Sequence, residues 1–183
     1  RKRDAGEVDV LGYDPANNTR AFKESIGIVL QTTGVEPYLT VEETIDVFRG
    51  YYPKPRSTGE ILDVVGLSQQ RRTRVKKLSG GQQRRLDVAI GIAGDPELLF
   101  LDEPTTGFDP AARRGAWEMI RNLRSMNKTV FLTTHYMDEA EQLADRVAII
   151  VDGRIVANGT PGDLTRIDQF TTIRFRVEQT ILD

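Results

Sequence analysis

At 183 residues with 39% hydrophobic content, the chain is long enough to bury one substantial core. Its 25 Lys and Arg against 27 Asp and Glu give a net charge of -2, which excludes bulk electrostatic attraction to nucleic acid or an anionic membrane. With no cysteine and a single histidine, disulfides, thiolate metal sites, a cysteine nucleophile and a histidine metal cluster are excluded, and no run of roughly 20 apolar residues is present to cross a bilayer.

In chain order, Ile26-Gly27-Ile28-Val29-Leu30 is the first apolar run and reads as a buried strand that ends at Gln31. Thr40-Val41-Glu42-Glu43 is a capping box, predicting an amphipathic helix through Ile45 and Phe48. Ser79-Gly80-Gly81-Gln82 is another, opening a helix through Leu86, Ile90 and Ala93 that Gly94-Asp95-Pro96 stops. Leu98 to Leu101 reads as a second buried strand, ending at Asp102-Glu103. Asp109 followed by Pro110 starts a third helix, in which Trp117, Ile120 and Leu123 recur at helical spacing and Trp117 is expected in the core. Val130 to Thr134 is a third buried strand, ending at His135. Val147 to Val151 and Arg154 to Ala157 flank Asp152-Gly153 and predict a β-hairpin. Phe170 to Val177 alternates weakly, as a last strand or an unstructured tail would.

Three apolar strands that end in polar residues share one design. In an open α/β sheet, ligands bind beyond the carboxyl ends of parallel strands, so these endings are expected to gather Gln31, Asp102, Glu103 and His135 in one crevice. The Ser79 loop supplies a complementary element: an N-cap and two glycines leave the first backbone N–H groups of a helix exposed, which suits an anion. Arg71, Arg72, Arg74, Lys76, Lys77, Arg84 and Arg85 stand around it without an intervening acid, so phosphate is the expected ligand. Taken alone, the loop reads equally as a glycine-softened helix start beside a solvated basic face; the acidic strand end downstream decides for phosphate. Adjacent carboxylates suit a magnesium nucleotide, Asp102 holding the metal through water and Glu103 orienting the attacking water as base. Gln31 and His135 are placed to add hydrogen bonds.

This set of motifs resembles the ABC-type ATPase family. Leu78-Ser79-Gly80-Gly81-Gln82 reads as its LSGGQ signature, Asp102 and Glu103 as the end of its Walker B strand, Gln31 as the Q-loop glutamine, Asp109 within Gly107-Phe108-Asp109-Pro110 as the D-loop, and His135 as the switch histidine. The resemblance implies an α/β fold: a P-loop NTPase-like (RecA-like) ABC ATPase core, about 1–30 and 87–183, with a helical subdomain over about 31–86. It implies ATP and Mg2+ as cofactors, with Gln31 and Asp102 on the metal side and Glu103 and His135 as catalytic residues. It implies that two ATPase domains face head to tail, so that Ser79, Gly80, Gly81 and Gln82 close on nucleotide held by the partner, with Asp109 at the shared interface. The further partner is a transmembrane permease, facing the loop Thr32 to Leu39, with the ATPase peripheral on the cytoplasmic side of the membrane. The wording around Pro104 to Pro110 and Thr133 to Ala140 is similar to the bacterial drug and polysaccharide exporter branch.

One departure is large. No G-x-x-x-x-G-K-[ST] string occurs; Lys128-Thr129 has no glycine framing it, and Ala5 to Gly12 resembles the stretch just after the Walker A helix in the family. The expectation is therefore a chain that starts downstream of the Walker A strand, loop and helix and is inactive alone. Two other readings compete. An ABC-type ATPase of DNA maintenance needs a long coiled coil between Q-loop and signature, and no sustained heptads lie there. A non-hydrolysing interaction module would keep the docking surfaces without turnover; this stays open for these 183 residues, while the retention of Glu103 and His135 favours an active parent protein.

Overall fold

The computed structural model describes residues 3–30 and 34–167. Gln31 and the weakly alternating stretch from Phe170 to Val177 lie outside them. The described residues cluster into two compact units that divide between His135 and Tyr136.

In the first unit, a three-stranded sheet runs β1 (Ile26–Val29), β2 (Leu98–Asp102), β3 (Thr129–Thr133), parallel throughout. β2 is central, and its register pairs Val29 with Leu101 and Asp102 with Thr133, so the strand ends finish level. A short helix α1 (Arg20–Ser25) leads into β1, capped by Thr19. Between β1 and β2 come α2 (Val41–Arg49), α3 (Thr58–Val65) and α4 (Gly80–Gly91). α5 (Pro110–Ser125) then connects β2 to β3.

Local sequence fixes each helix start. Both expected capping boxes form: Thr40 N–H donates to Glu43 at 2.8 Å, and Ser79 N–H donates to the Gln82 side-chain oxygen at 2.9 Å. A third box, Ser57 with Glu60, opens α3; its S-x-x-E spacing ahead of Ile61-Leu62 was a readable signal. Asp109 caps α5 by accepting from the N–H groups of both Ala111 and Ala112 at 2.8 Å.

The core includes the space between α4 and one face of the sheet, where Gly91 closely approaches Val29 and Leu99; Val29, Leu99, Leu101 and Val88 are nearly inaccessible to solvent. Two glycines permit this approach: a Cβ on Gly27 would stand 2.1 Å from the Gly91 carbonyl oxygen, and one on Gly91 would meet Val29 at 2.7 Å. Trp117 corrects the expectation of a core tryptophan, being only half-buried. The inward stripe of α5 is Ala116, Met119, Ile120 and Leu123, spaced i, i+3, i+4, i+7, and Trp117 falls on its flank.

The strands depart from expectation in one respect: they are not buried on both faces. The register aligns Ile28, Phe100 and Phe131 in one row, with the two phenylalanine rings 5.5 Å apart, and Ile28 and Phe131 are each 57% exposed. Parallel strands normally have both faces covered, so this is an open apolar face.

The second unit contains α6 (Met137–Leu143), the hairpin β4 (Val147–Val151) and β5 (Arg154–Gly159), and α7 (Pro161–Ile167). The hairpin turns at Asp152-Gly153 as expected, both at positive φ, which is the geometry of the tight primed turn. No helix among the described residues is long and apolar enough to cross a membrane.

Candidate functional site

Parallel pairing carries Asp102 and Glu103 to the end of the central strand and His135 to the end of its neighbour. His135 Nδ1 lies 3.4 Å from one Glu103 carboxylate oxygen, and the Thr106 hydroxyl donates to the other at 3.0 Å. Glu103 itself has φ of 45°, a left-handed conformation that is strained for a side-chain-bearing residue and recurs where function fixes geometry. Its N–H donates to the Thr133 carbonyl at 3.1 Å, so the neighbouring strand holds the kink. Asp102 is exposed, and one of its oxygens accepts from the Thr133 hydroxyl at 2.6 Å.

The signature helix begins beside this strand end. A groove of about 720 Å³ is lined by Gly80, Gly81, Glu103, Thr106 and Asp109 together with Lys76. At Gly80 and Gly81 a Cβ would meet nothing within 4 Å, so the helix N-terminus is open to an incoming group. Ser79 and Gln82 instead line a smaller cavity of about 180 Å³ with Phe108 and Ala111, and their side chains are committed to the capping box. The Asp109 carboxylate is likewise spent on its helix cap. Of the residues singled out in the sequence, the structure thus joins Asp102, Glu103 and His135 at one point and sets Gly80, Gly81 and Asp109 along the groove that Glu103 lines. Gln31 falls outside the described residues.

The basic surround expected for the loop is corrected in part. Arg84 is engaged within the protein: it is 8% exposed, its guanidinium donates to the carbonyls of Asp102 at 2.8 Å, Pro104 at 3.3 Å and Leu30, and it lies 3.8 Å from the Asp87 carboxylate. Burial pushes its pKa below the ordinary guanidinium value, against the attraction of Asp87 and Asp102. Arg85 donates to the carbonyls of Val65 and Gly115, and Arg71 is paired with Glu42. Lys76 lies 4.3 Å over the Tyr38 ring. Arg84, Arg85 and Arg71 are thus engaged by protein groups, while Lys76 lines the groove beside the helix N-terminus.

A divalent cation fits this strand end. Among the described residues no group of three or more acids and histidines forms a metal cage. Mg2+ does not need one, since it keeps several waters and is held by one or two carboxylates plus substrate phosphates, and the exposed Asp102 provides such a carboxylate. What the site offers is orientation and charge, the requirements of phosphoryl transfer.

A family model described as ABC transporter matches residues 1–106. The chain belongs to the ABC transporter family. The α/β fold with its parallel sheet is that of an ABC ATPase core, as the signature and the acidic strand end implied. Among individual ABC relatives, the Nod factor export ATP-binding protein I of Rhizobium etli is 42% identical over 166 residues, covering 88% of this chain and 52% of that protein. The daunorubicin/doxorubicin resistance ATP-binding protein DrrA of Streptomyces peucetius is 40% identical over 179 residues, covering 95% and 54%. The Nod factor export ATP-binding protein I of Neorhizobium galegae is 41% identical over 162 residues, covering 86% and 47%. The chain spans about half the length of the curated ABC relatives it matches.

Sequence reasoning passed over some residues of this ABC site. Thr133 and Thr106, which hold the two acids, are common strand-end and turn residues with no spacing signal. Arg84 is named from the sequence, but as part of a basic surround; its spacing with Val88 and Gly91, i, i+4, i+7 on the buried stripe of α4, is the signal for its inward direction.

Proposed function

We propose that this chain is the greater part of the ATP-hydrolysing domain of an ABC exporter, working with a second ATPase domain and a transmembrane permease. The observation that carries the proposal is the placement of Glu103 at the end of the central strand, gripped by Thr106 and His135 and facing the groove that the signature glycines line. The relatives' names, Nod factor export and daunorubicin/doxorubicin resistance, support export as the coupled task.

In this reading residues 31–86 form the helical subdomain and Thr32 to Leu39 faces the permease at the cytoplasmic surface of the membrane. A Walker A strand, loop and helix joined to this chain would cradle the nucleotide and extend the sheet beside β3. The open row of Ile28, Phe100 and Phe131 supports that, because it is the apolar face such a segment would cover. Asp102 and Gln31 would hold Mg2+ through water, and the ion would supply charge neutralisation to the nucleotide phosphates. Glu103 accepts a proton from the attacking water, and His135 hydrogen-bonds the transferred phosphoryl group and steadies the Glu103 carboxylate. Ser79, Gly80, Gly81 and Gln82 present a helix N-terminus to nucleotide held by the partner domain, and Asp109, by capping α5, fixes the turn at that interface.

Glu103→Gln tests this reading. In a chain carrying the Walker A segment it is expected to keep Mg-ATP binding and lose about 100-fold or more in turnover. Unchanged turnover would remove Glu103 from the catalytic role. A second reading, a docking module that does not hold ATP by itself, is favoured for residues 1–183 alone by the lack of any G-x-x-x-x-G-K-[ST] string.

A further inference from the structure

We propose that Thr133 is a positioning residue that sets both acids of the site through a single hydroxyl. A threonine hydroxyl has one proton to give and two lone pairs to offer. Here the proton goes to Asp102 Oδ1 at 2.6 Å, and a lone pair takes the Glu103 N–H at 3.2 Å. The same N–H also reaches the Thr133 carbonyl at 3.1 Å, so one residue of β3 receives the Glu103 amide on two oxygens.

The strand register makes this possible. Thr133 is directly opposite Asp102 in the parallel ladder, at the last pair before the chain leaves β2. An ordinary ladder continues with the next residue extended, whereas Glu103 turns to φ 45° and swings its side chain toward Thr106 and His135. The Thr133 hydroxyl stabilises that turn from the amide side. On the carboxylate side it engages one Asp102 oxygen by a short charge-assisted bond and fixes the rotation of the group, which determines where the second oxygen points. The metal-side carboxylate and the water-orienting carboxylate are thereby locked in one mutual arrangement by a single residue of the neighbouring strand.

A hydrogen-bond partner that orients a metal-side carboxylate commonly controls metal affinity and activity by about 10-fold or more. The valine isostere keeps the branched shape suited to a strand and deletes only the hydroxyl, while serine keeps the hydroxyl and deletes only the methyl. The assignment rests on the ATPase reading above.

The test compares wild type, Thr133→Val and Thr133→Ser in the full-length ATPase. A fluorescent ATP analogue is bound in EDTA, Mg2+ is then titrated in, and steady-state hydrolysis is measured separately. Thr133→Val is expected to bind the analogue without metal to within about twofold of wild type, which also reports an intact fold. Its half-saturating Mg2+ should rise about 10-fold and its kcat fall about 10-fold, with KM for ATP little changed. Thr133→Ser should restore both to within about threefold of wild type. A valine variant with wild-type Mg2+ dependence and kcat overturns the proposal while leaving the ATPase reading standing, and so does a serine variant as impaired as valine, since the methyl group would then be what matters. A wild type that binds no analogue with or without Mg2+ overturns the ATPase reading and this inference together.

Discussion

Replacing Arg84 by methionine removes a buried charge and leaves a side chain of similar length in its place. The guanidinium spans the ends of β1 and β2, reaching Leu30, Asp102 and Pro104. Hydrogen bonds from a charged donor contribute about 1.5–3 kcal/mol each. The contact to Pro104 at 3.3 Å adds little, so the two others contribute about 3–6 kcal/mol, a figure already net of the hydration the donor gives up. The exposed strand end at Asp102 lets water reach a released carbonyl, which lowers the loss, while Asp87, 3.8 Å from the guanidinium, loses an ion-pair partner. The net expectation is a loss of about 2–4 kcal/mol. Urea unfolding followed by tryptophan fluorescence reads it: with a slope of roughly 2 kcal/mol/M, the midpoint should fall by about 1–2 M at unchanged slope. Lysine should rescue little, because a point charge with three donors lacks the planar fork that reaches divergent carbonyls. A methionine variant as stable as wild type, or more stable, would refute the reasoning by showing that desolvation cancels the carbonyl contacts.

Other perturbations probe the frame around the site. Gly27→Ala should destabilise the first unit by about 1–3 kcal/mol, since the new methyl would collide with the Gly91 backbone carbonyl, and thermal unfolding of the variant checks this. Glu43 has its pKa held below the ordinary glutamate value by the Thr40 backbone N–H and then the Thr40 hydroxyl. Glu60 is lowered in the same way, by the Ser57 hydroxyl and then the Ser57 N–H. A carboxylate lowered in the folded state contributes stability that is complete above its unfolded pKa and is lost as pH falls through the folded value. Unfolding midpoints should therefore decline from mildly acidic to strongly acidic pH, and Glu43→Gln should flatten part of that decline; an unchanged pH profile in the variant would show that the cap contributes nothing to it.

Much of the site was legible because its chemistry is local in sequence. Capping boxes at Thr40 and Ser79 need only residues i and i+3, and the apolar runs before Asp102 and His135 announce strand ends without any knowledge of pairing. The directions of long cationic side chains were not legible. Arg84 and Arg85 stand side by side in the signature helix, and only the packing of α4 on β1 decides that Arg84 turns inward to strand-end carbonyls. Strand burial misled for a related reason: an apolar strand has the same sequence whether its second face is covered or bare, and Ile28 and Phe131 are bare. The Thr133 bridge arises from the register of two strands far apart in sequence, which no local pattern encodes.

The most direct measurement is thermal unfolding of residues 1–183 and of the same residues joined to a family Walker A strand, loop and helix, each with and without Mg-ATP. Ligand at about a hundred times its dissociation constant should add about 2.7 kcal/mol to a fold that binds it. That stabilisation is expected for the extended chain only. Equal stabilisation of residues 1–183 alone would contradict the assignment of nucleotide binding to the upstream loop, and no stabilisation of the extended chain would contradict the ATPase itself.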